Sequence, residues 1–269
     1  DPDADRVGLA LRDSNGLFQV LTGNQIGALL LDYLLSQYKQ KGTLPSNGVM
    51  MKTVVTSEMG RAIADHYGIE TWDTLTGFKY IAEKIGQWEK DNSKKFLFGY
   101  EESYGYLIGD FCRDKDAVQA CMLIAEMGAY YQHQGFTLYE KLYHLFKQIG
   151  YYQEDLVSLT FSNSHGRQEM ERLIHELREN HLPEVAGIPV KQVKDYLQEI
   201  DGLPKANVVK YLLQDDSWFA IRPSGTEPKL KVYFGVHSHS LTRSLQKLKN
   251  IKSDITLMIS KKMNQQILC

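Results

Sequence analysis

VMMKTVVTSEMGRAIADHYGIETW, residues 49–72, reads as strand, helix and strand in succession. Val49–Thr56 is an apolar-rich run of the sort that lies buried in a parallel sheet. Ser57 can cap a helix over Glu58–Tyr67, and Gly68 can stop it. Ile69–Trp72 then reads as a short second strand. Downstream the rhythm continues: Gly77–Lys90 is helical, Phe96–Gly99 is a strand and Asp116–Gln134 is a long helix. Leu138–Ile149 is a further helix, capped by Thr137. Alternating strands and helices predict a mostly parallel sheet covered by helices.

Upstream, Lys41 to Gly48 (KGTLPSNG) is the best linker in the chain. Before it, Thr22 can cap a helix running to about Gln40, with Ile26, Leu29, Leu30, Tyr33 and Leu34 on one face. Asn15-Gly16 is a hairpin signal between Val7–Leu11 and Leu17–Leu21. The stretch before Lys41 is expected to be the tail of a domain whose beginning lies outside this sequence. After Gly150 the texture changes. Leu156–Phe161 is a strand and Gly166–Asn180 a helix. Val190–Tyr196, Val208–Leu213, Trp218–Ile221 and Leu230–Val236 are close-set strands, and a helix runs from Leu241 to about Met263. Adjacent strands with helices at the ends predict an antiparallel α+β domain. The fold class is α/β with a C-terminal α+β domain, divided at 1–42, 43–150 and 151–269.

The 269 residues are 43% hydrophobic and 24% charged, with a formal net charge of −2. That balance gives no electrostatic reason to expect nucleic acid or an anionic membrane as partner. No apolar run reaches membrane-spanning length. Cys112, Cys121 and Cys269 are odd in number and widely spaced, which predicts reduced thiols and a cytoplasmic setting.

Four short segments carry candidate chemistry. Asp1-Pro2-Asp3-Ala4-Asp5-Arg6 concentrates three carboxylates on one turn. An EF-hand is excluded, since Arg6 and Arg12 stand where Gly and Glu are needed. A phosphatase-like Asp nucleophile, a hard-cation site for Mg2+ with Arg6 beside it, and a plain solvated turn all remain open. Phe98 to Tyr106 (FGYEESYGY) follows a strand, where α/β sheets bind ligands. Its carboxylates and hydroxyl suit sugar hydroxyls; the plain alternative is a polar loop. Lys115, just downstream, becomes an acid or base if burial or a neighbouring cation lowers its pKa, while Asp116 reads as an ordinary helix cap.

Arg222 to Lys229 (RPSGTEPK) offers a guanidinium, two hydroxyls and freed backbone amides, a recipe for a phosphate cradle. It is not a Walker A loop, and its plain alternative is a hairpin turn. Thr74 to Lys79 (TLTGFK) sits at a strand–helix junction that can attract an anion, although a Thr cap explains it equally well.

Taken together and in this order, the four segments resemble the α-D-phosphohexomutase family of phosphoglucomutases and phosphomannomutases. DPDADR looks like its metal loop, GYEESYG like its sugar loop and RPSGTEPK like its phosphate loop. The resemblance implies a partial second domain, a βαβ-type third and an antiparallel-sheet fourth, in a family whose four domains surround a cleft. It implies Mg2+ held by Asp1, Asp3 and Asp5, with Arg6 near the transferring phosphoryl group. Thr76 and Gly77 belong to a Thr-Gly-Trp-Lys-like element, with Phe78 in place of Trp. Glu101 and Ser103 would bind sugar hydroxyls. Arg222, Ser224, Gly225 and Thr226 would hold the non-reacting phosphate. Lys115 falls in an Arg-x-Lys-Asp element and would move a proton.

The implied partners are hexose phosphates and glucose 1,6-bisphosphate, with a missing N-terminal domain of the same parent chain. The implied reaction interconverts hexose 1-phosphate and 6-phosphate through a phosphoserine and a bisphosphate intermediate. Glucose is favoured over mannose or pentose phosphates. No Thr-Ala-Ser-His-Asn-Pro-like segment occurs in these residues, so this chain alone is expected to be inactive. A non-catalytic sugar-phosphate-binding module is the competing expectation. Tyr104 stands where several bacterial members have Gly-His, so that histidine's role does not carry over.

Overall fold

A computed structural model describes residues 1–13, 15–161, 166–224 and 229–263. Two compact units emerge, Asp1–Ile149 and Gly150–Cys269. The first opens with β1 (Ala10–Arg12) and β2 (Phe18–Val20), then α1 (Gly23–Gln40), β3 (Gly48–Thr53), α2 (Met59–His66), β4 (Glu70–Thr74) and α3 (Phe78–Asp91). It closes with β5 (Lys95–Tyr100), β6 (Tyr106–Ile108), α4 (Ala117–His133) and α5 (Leu138–Ile149). The second contains β7 (Tyr151–Thr160), α6 (Gly166–Glu179), β8 (Glu184–Val185), β9 (Ile188–Asp195), β10 (Val209–Leu213), β11 (Trp218–Pro223), β12 (Lys229–Ser238) and α7 (Leu241–Met263).

In the first unit the main sheet has the order β4-β3-β5-β6. β3 pairs parallel with β4 and β5, and β6 returns antiparallel to β5. Every residue of β3 is buried, as a central strand covered on both faces requires. A register irregularity places Phe96 opposite Val49 and Phe98 opposite Met50. Phe96 joins Val49, Met51, Leu107 and the α3 residues Ile81, Ile85 and Trp88 in one core. Phe98 instead lies beside Tyr100, with ring centroids 5.6 Å apart. One extra residue thus sends side chains two apart to opposite faces. Glycines admit the Tyr100 ring: a Cβ on Gly27 would collide with its ring carbons, and one on Gly60 would lie 2.5 Å from its hydroxyl.

Caps follow the sequence closely. Thr22 and Gln25 form a reciprocal capping box at α1. Asp116 accepts from the Gln119 amide at the start of α4. Thr137 and Glu140 exchange the same pair of bonds at α5. α2 differs: Glu58 is its cap residue and makes no side-chain cap bond. Ser57 still accepts from the Met59 amide at 3.0 Å, so the expected capping atom serves a helix that starts one residue late.

The β1–β2 hairpin exists, but its ladder joins Ala10 to Val20 and Arg12 to Phe18 rather than starting at Val7. At the open end Val7 has another partner, since its amide donates to Tyr104 O at 3.2 Å. At the turn end Asp13 Oδ1 accepts from the Asn15 and Leu17 amides.

The second unit is a six-stranded antiparallel sheet ordered β7-β12-β11-β10-β9-β8. Alternate residues Val209, Tyr211, Phe219, Ile221, Val232 and Phe234 face a core shared with α6 (Leu173, Ile174, Leu177) and α7 (Ile251, Ile255, Ile259). Burying each of those α7 isoleucines is worth about 1.5–3 kcal/mol. The predicted α/β unit followed by an antiparallel α+β unit is therefore present. Among the described residues, no helix is long and apolar enough to cross a membrane.

Candidate active site

The acidic turn is stitched to two later segments. Arg6 makes a β-bridge with Gly105, and the Val7 amide donates to Tyr104 O at 3.2 Å. The Ala117 amide, at the start of α4, donates to Ala4 O at 3.0 Å. Ala4 holds a left-handed φ of 55° to make these bonds. Within the turn, Asp1 Oδ1 accepts from the Asp5 and Arg6 amides at 3.2 and 3.4 Å. Asp3 is exposed. Asp5 Oδ2 lies 3.0 Å from Lys115 Nζ, and the hydrogen bond from Lys115 holds its pKa below the ordinary value, outweighing partial burial. Asp5 Oδ1 is buried without a hydrogen bond, with Arg6 Nε 3.5 Å away.

Among the described residues, no three His, Cys, Asp or Glu side chains are gathered around one point. Asp1, Asp3 and Asp5 are thus a set of hard oxygen donors that fits Mg2+ in chemistry, while the arrangement is that of a turn bonded to itself and to Lys115. Arg6 is half-exposed, with its Nε 3.9 Å from Asp1 and 3.5 Å from Asp5.

Lys115 is the joint of the site. Its ammonium lies 3.0 Å from both Asp5 and Asp114, and 5.5 Å from the centre of the Phe78 ring. Its stem fills the space a side chain on residue 105 would need, which explains Gly105: a Cβ there would overlap Lys115 Cδ. Burial opposes the charge, but hydrogen bonds to Asp114 and Asp5 outweigh it and raise the pKa. The condition under which Lys115 would be a base at neutral pH, a lowered pKa, is therefore not met. Both close neighbours are anions, and the side chain is a protonated donor.

The loop between β5 and β6 brings two distant segments together. Glu101 is buried, and its Oε1 accepts from the Gly77 amide at 2.9 Å. Gly77 has a φ of 117°, open only to glycine, just ahead of α3. The anion attracted to that helix start is thus Glu101 of the same chain. Thr76 immediately precedes it. The Glu101 amide donates to Gly105 O at 2.9 Å, closing the loop, and Ser103 is exposed at its tip.

Glu102, absent from the expected site, turns its carboxylate the other way. Its Oε2 accepts from Thr56 Oγ1 at 3.1 Å and Thr53 Oγ1 at 3.4 Å. Burial, the largest influence, raises its pKa. Fully buried Lys52 pairs with Glu58 at 3.1 Å and Asp73 at 3.0 Å. Burial works against that ammonium, yet the charges of Asp73 and Glu58 prevail and raise its pKa.

In the second unit, β11 delivers Arg222 and Pro223, and the Ser224 amide donates to Lys229 O at 2.7 Å. Gly225 and Thr226, expected in the same cradle, lie outside the described residues. Lys231, which sequence reasoning missed, pairs with Arg222 in the β11–β12 register. Directly paired residues share a face, so two cations stand side by side. The signal was available: Leu230 and Val232 alternate into the core, which sends Lys231 outward with Arg222.

The family model described as phosphoglucomutase/phosphomannomutase, alpha/beta/alpha domain III, matches residues 22–148. The model for the C-terminal domain of the same family matches residues 181–248. A phosphoglucomutase of Staphylococcus haemolyticus is 37% identical over 260 residues, covering 93% of this chain and 46% of the relative. The chain thus spans about half the length of the curated relatives it matches.

The solved open form of Paramecium pp63/parafusin, a phosphoglucomutase, aligns over 99% of this chain and 45% of its own length, with TM-score 0.73 at 19% identity. An Aspergillus fumigatus N-acetylphosphoglucosamine mutase variant in complex with glucose 1,6-bisphosphate aligns over 95% and 47%, with TM-score 0.52 at 13% identity. Those two likenesses concern the fold.

Proposed function

This chain belongs to the α-D-phosphohexomutase family of phosphoglucomutases and phosphomannomutases, and from that premise we propose that it supplies the metal, sugar and phosphate grips of an enzyme interconverting hexose 1-phosphate and 6-phosphate. The observation that carries the reading is the convergence on Lys115. Its ammonium bonds Asp5 of the metal turn, while its stem packs on Gly105 of the sugar loop. Segments far apart in sequence are thereby held at one place in the first unit.

In this reading Glu101 and Ser103 accept and donate to sugar hydroxyls, with Thr76 and Gly77 beside Glu101. Arg222, Ser224, Gly225 and Thr226 hold the phosphate that is not reacting, and Lys231 adds charge next to Arg222. Arg6 faces the transferring phosphoryl group. Lys115 enters protonated and serves as acid or charge stabiliser. Asp1, Asp3 and Asp5 would hold Mg2+, which supplies neutralising charge to the phosphoryl group when bound. The segments 1–42, 43–150 and 151–269 are assigned to the family's second, third and fourth domains. A separate phosphate grip has a physical use, since either end of a bisphosphate can be held by the same contacts.

Glucose phosphates are the favoured substrates, because Thr76-Gly77-Phe78-Lys79 is nearer the phosphoglucomutase element, and the curated relative bears that name. The bisphosphate seen with the Aspergillus mutase supports glucose 1,6-bisphosphate as a ligand. Free Cys112 and Cys121 support a reducing compartment, the cytoplasm. Use of Asp1 as a phosphatase nucleophile is disfavoured, because two backbone amides already bond its Oδ1.

Calorimetry of the 269-residue chain with glucose 1,6-bisphosphate tests the reading. Binding is expected, and Arg222→Ala should weaken it by roughly 10- to 100-fold, the weight of a charged hydrogen bond. A folded wild-type chain that takes up no bisphosphate would overturn the proposal.

A further inference from the structure

We propose that Glu102 is the positioning residue of the sugar loop, a strut that sets where Glu101 and Ser103 point. The inference rests on the sugar-loop reading above and adds a residue to it. Glu101, Glu102 and Ser103 are consecutive but serve three directions: Glu101 reaches Gly77, Ser103 faces solvent, and Glu102 reaches back to the end of β3.

There it meets Thr53 and Thr56, both fully buried, whose hydroxyls lie 2.7 Å apart. A hydroxyl has one proton to donate. Both hydroxyls lie within reach of Glu102 Oε2, Thr56 at 3.1 Å and Thr53 at 3.4 Å, so one proton bridges the two threonines and the other goes to the carboxylate. On its other side the loop backbone leans on α1: a Cβ on Gly23 would collide with Glu102 O and lie 2.9 Å from the Tyr104 amide nitrogen. Tyr106 Oη, just past the loop, donates to Gly23 O at 3.2 Å. The loop is gripped from below through the Glu102 side chain and from the flank through its backbone. Removing the side chain releases one grip and leaves the buried hydroxyl pair with one proton lacking its acceptor.

The test compares wild type, Glu102→Ala, Glu102→Gln and Thr56→Val in the 269-residue chain. The probes are glucose 6-phosphate and inorganic phosphate. Glu102→Ala and Thr56→Val should bind glucose 6-phosphate at least roughly tenfold more weakly, the scale of effect of misplacing a binding group by about 1 Å. Inorganic phosphate, which needs no sugar contact, should bind as in wild type. Glu102→Gln keeps an acceptor oxygen and should restore most of the sugar-phosphate affinity.

Hydrogen exchange at the Glu101 amide, bonded to Gly105 O, gives a readout that needs no ligand. It should accelerate in Glu102→Ala and Thr56→Val but not in Glu102→Gln. A folded Glu102→Ala chain that matches wild type in both readouts overturns the inference and leaves the proposed function standing. If that variant does not fold, the same outcome for Thr56→Val decides. Glutamine behaving like alanine also overturns it. A wild-type chain that binds inorganic phosphate but not glucose 6-phosphate overturns the sugar-loop reading, and this inference with it.

Discussion

The same substitution, glycine to alanine at two helical positions, should shift stability in opposite directions. At Gly23, the first residue of α1, an added Cβ would lie 2.1 Å from Glu102 O. Ordinary contact begins near 3.4 Å, so the shortfall is about 1.3 Å. The obstructing atoms belong to the backbone and cannot rotate aside. Overpacking of this kind costs about 1–3 kcal/mol, whereas alanine gains only about 0.5–1 kcal/mol over glycine in a helix. Packing wins, for a net loss of roughly 1–2 kcal/mol and a melting temperature lower by about 2–8 °C.

At Gly86, inside α3, an added Cβ meets nothing within 4 Å. Only the helix gain remains, and the melting temperature should rise by roughly 1–4 °C. Because Gly23 presses on the sugar loop, Gly23→Ala should also weaken glucose 6-phosphate binding by about tenfold or more, while Gly86→Ala should not. Scanning calorimetry and ligand titration of both variants are sufficient. Gly23→Ala melting at or above wild type with unchanged affinity would refute the reasoning.

Three further outcomes are expected. Lys52→Met should destabilise the first unit by about 1–3 kcal/mol in urea titrations, less than a fully orphaned buried pair would lose, because Glu58 and Asp73 keep Arg61 and stay partly solvated; unchanged stability would contradict a structural role for that ammonium. Burial raises Glu102 above its ordinary 4.5, so the folded chain keeps a proton that the unfolded chain releases, and stability declines as pH rises from about 4.5. Glu102→Gln abolishes that decline, so the difference between variant and wild type should grow in the variant's favour with pH; a pH-independent difference counts against it. Purified free of contaminating mutase, the 269-residue chain should not convert glucose 1-phosphate, since it holds no serine segment of the family type; measurable turnover would sink that expectation.

What the sequence disclosed and what it hid divide along physical lines. Caps such as Thr22, Asp116 and Thr137 act within a few residues of themselves, so local pattern reveals them. The central strand announced itself because burial on both faces leaves an apolar run. β6 went unseen because its first residue, Tyr106, closes a motif read for chemistry, and a three-residue strand has no period to detect. The Glu101–Gly77 and Glu102–Thr56 bonds join residues dozens of positions apart, and the parallel pairing of β3 with both β4 and β5 brings them together. The charge state of Lys115 was not legible, because that depends on Asp5 arriving from the far end of the unit.

That meeting has a thermodynamic consequence. Asp5 and Gly105 lean on one side chain, so ligands at the acidic turn and at the loop behind it are expected to be coupled. A bound molecule that drew the Lys115 ammonium away from Asp5 would leave that carboxylate with Arg6 as its remaining cation and strengthen the turn's attraction for another. Linkage is reciprocal: a cation that displaces Lys115 alters the loop's affinity for its ligand by the same factor. The lysine is in effect an exchangeable counter-ion built into the chain, and titrating either occupant against the other would measure its coupling directly.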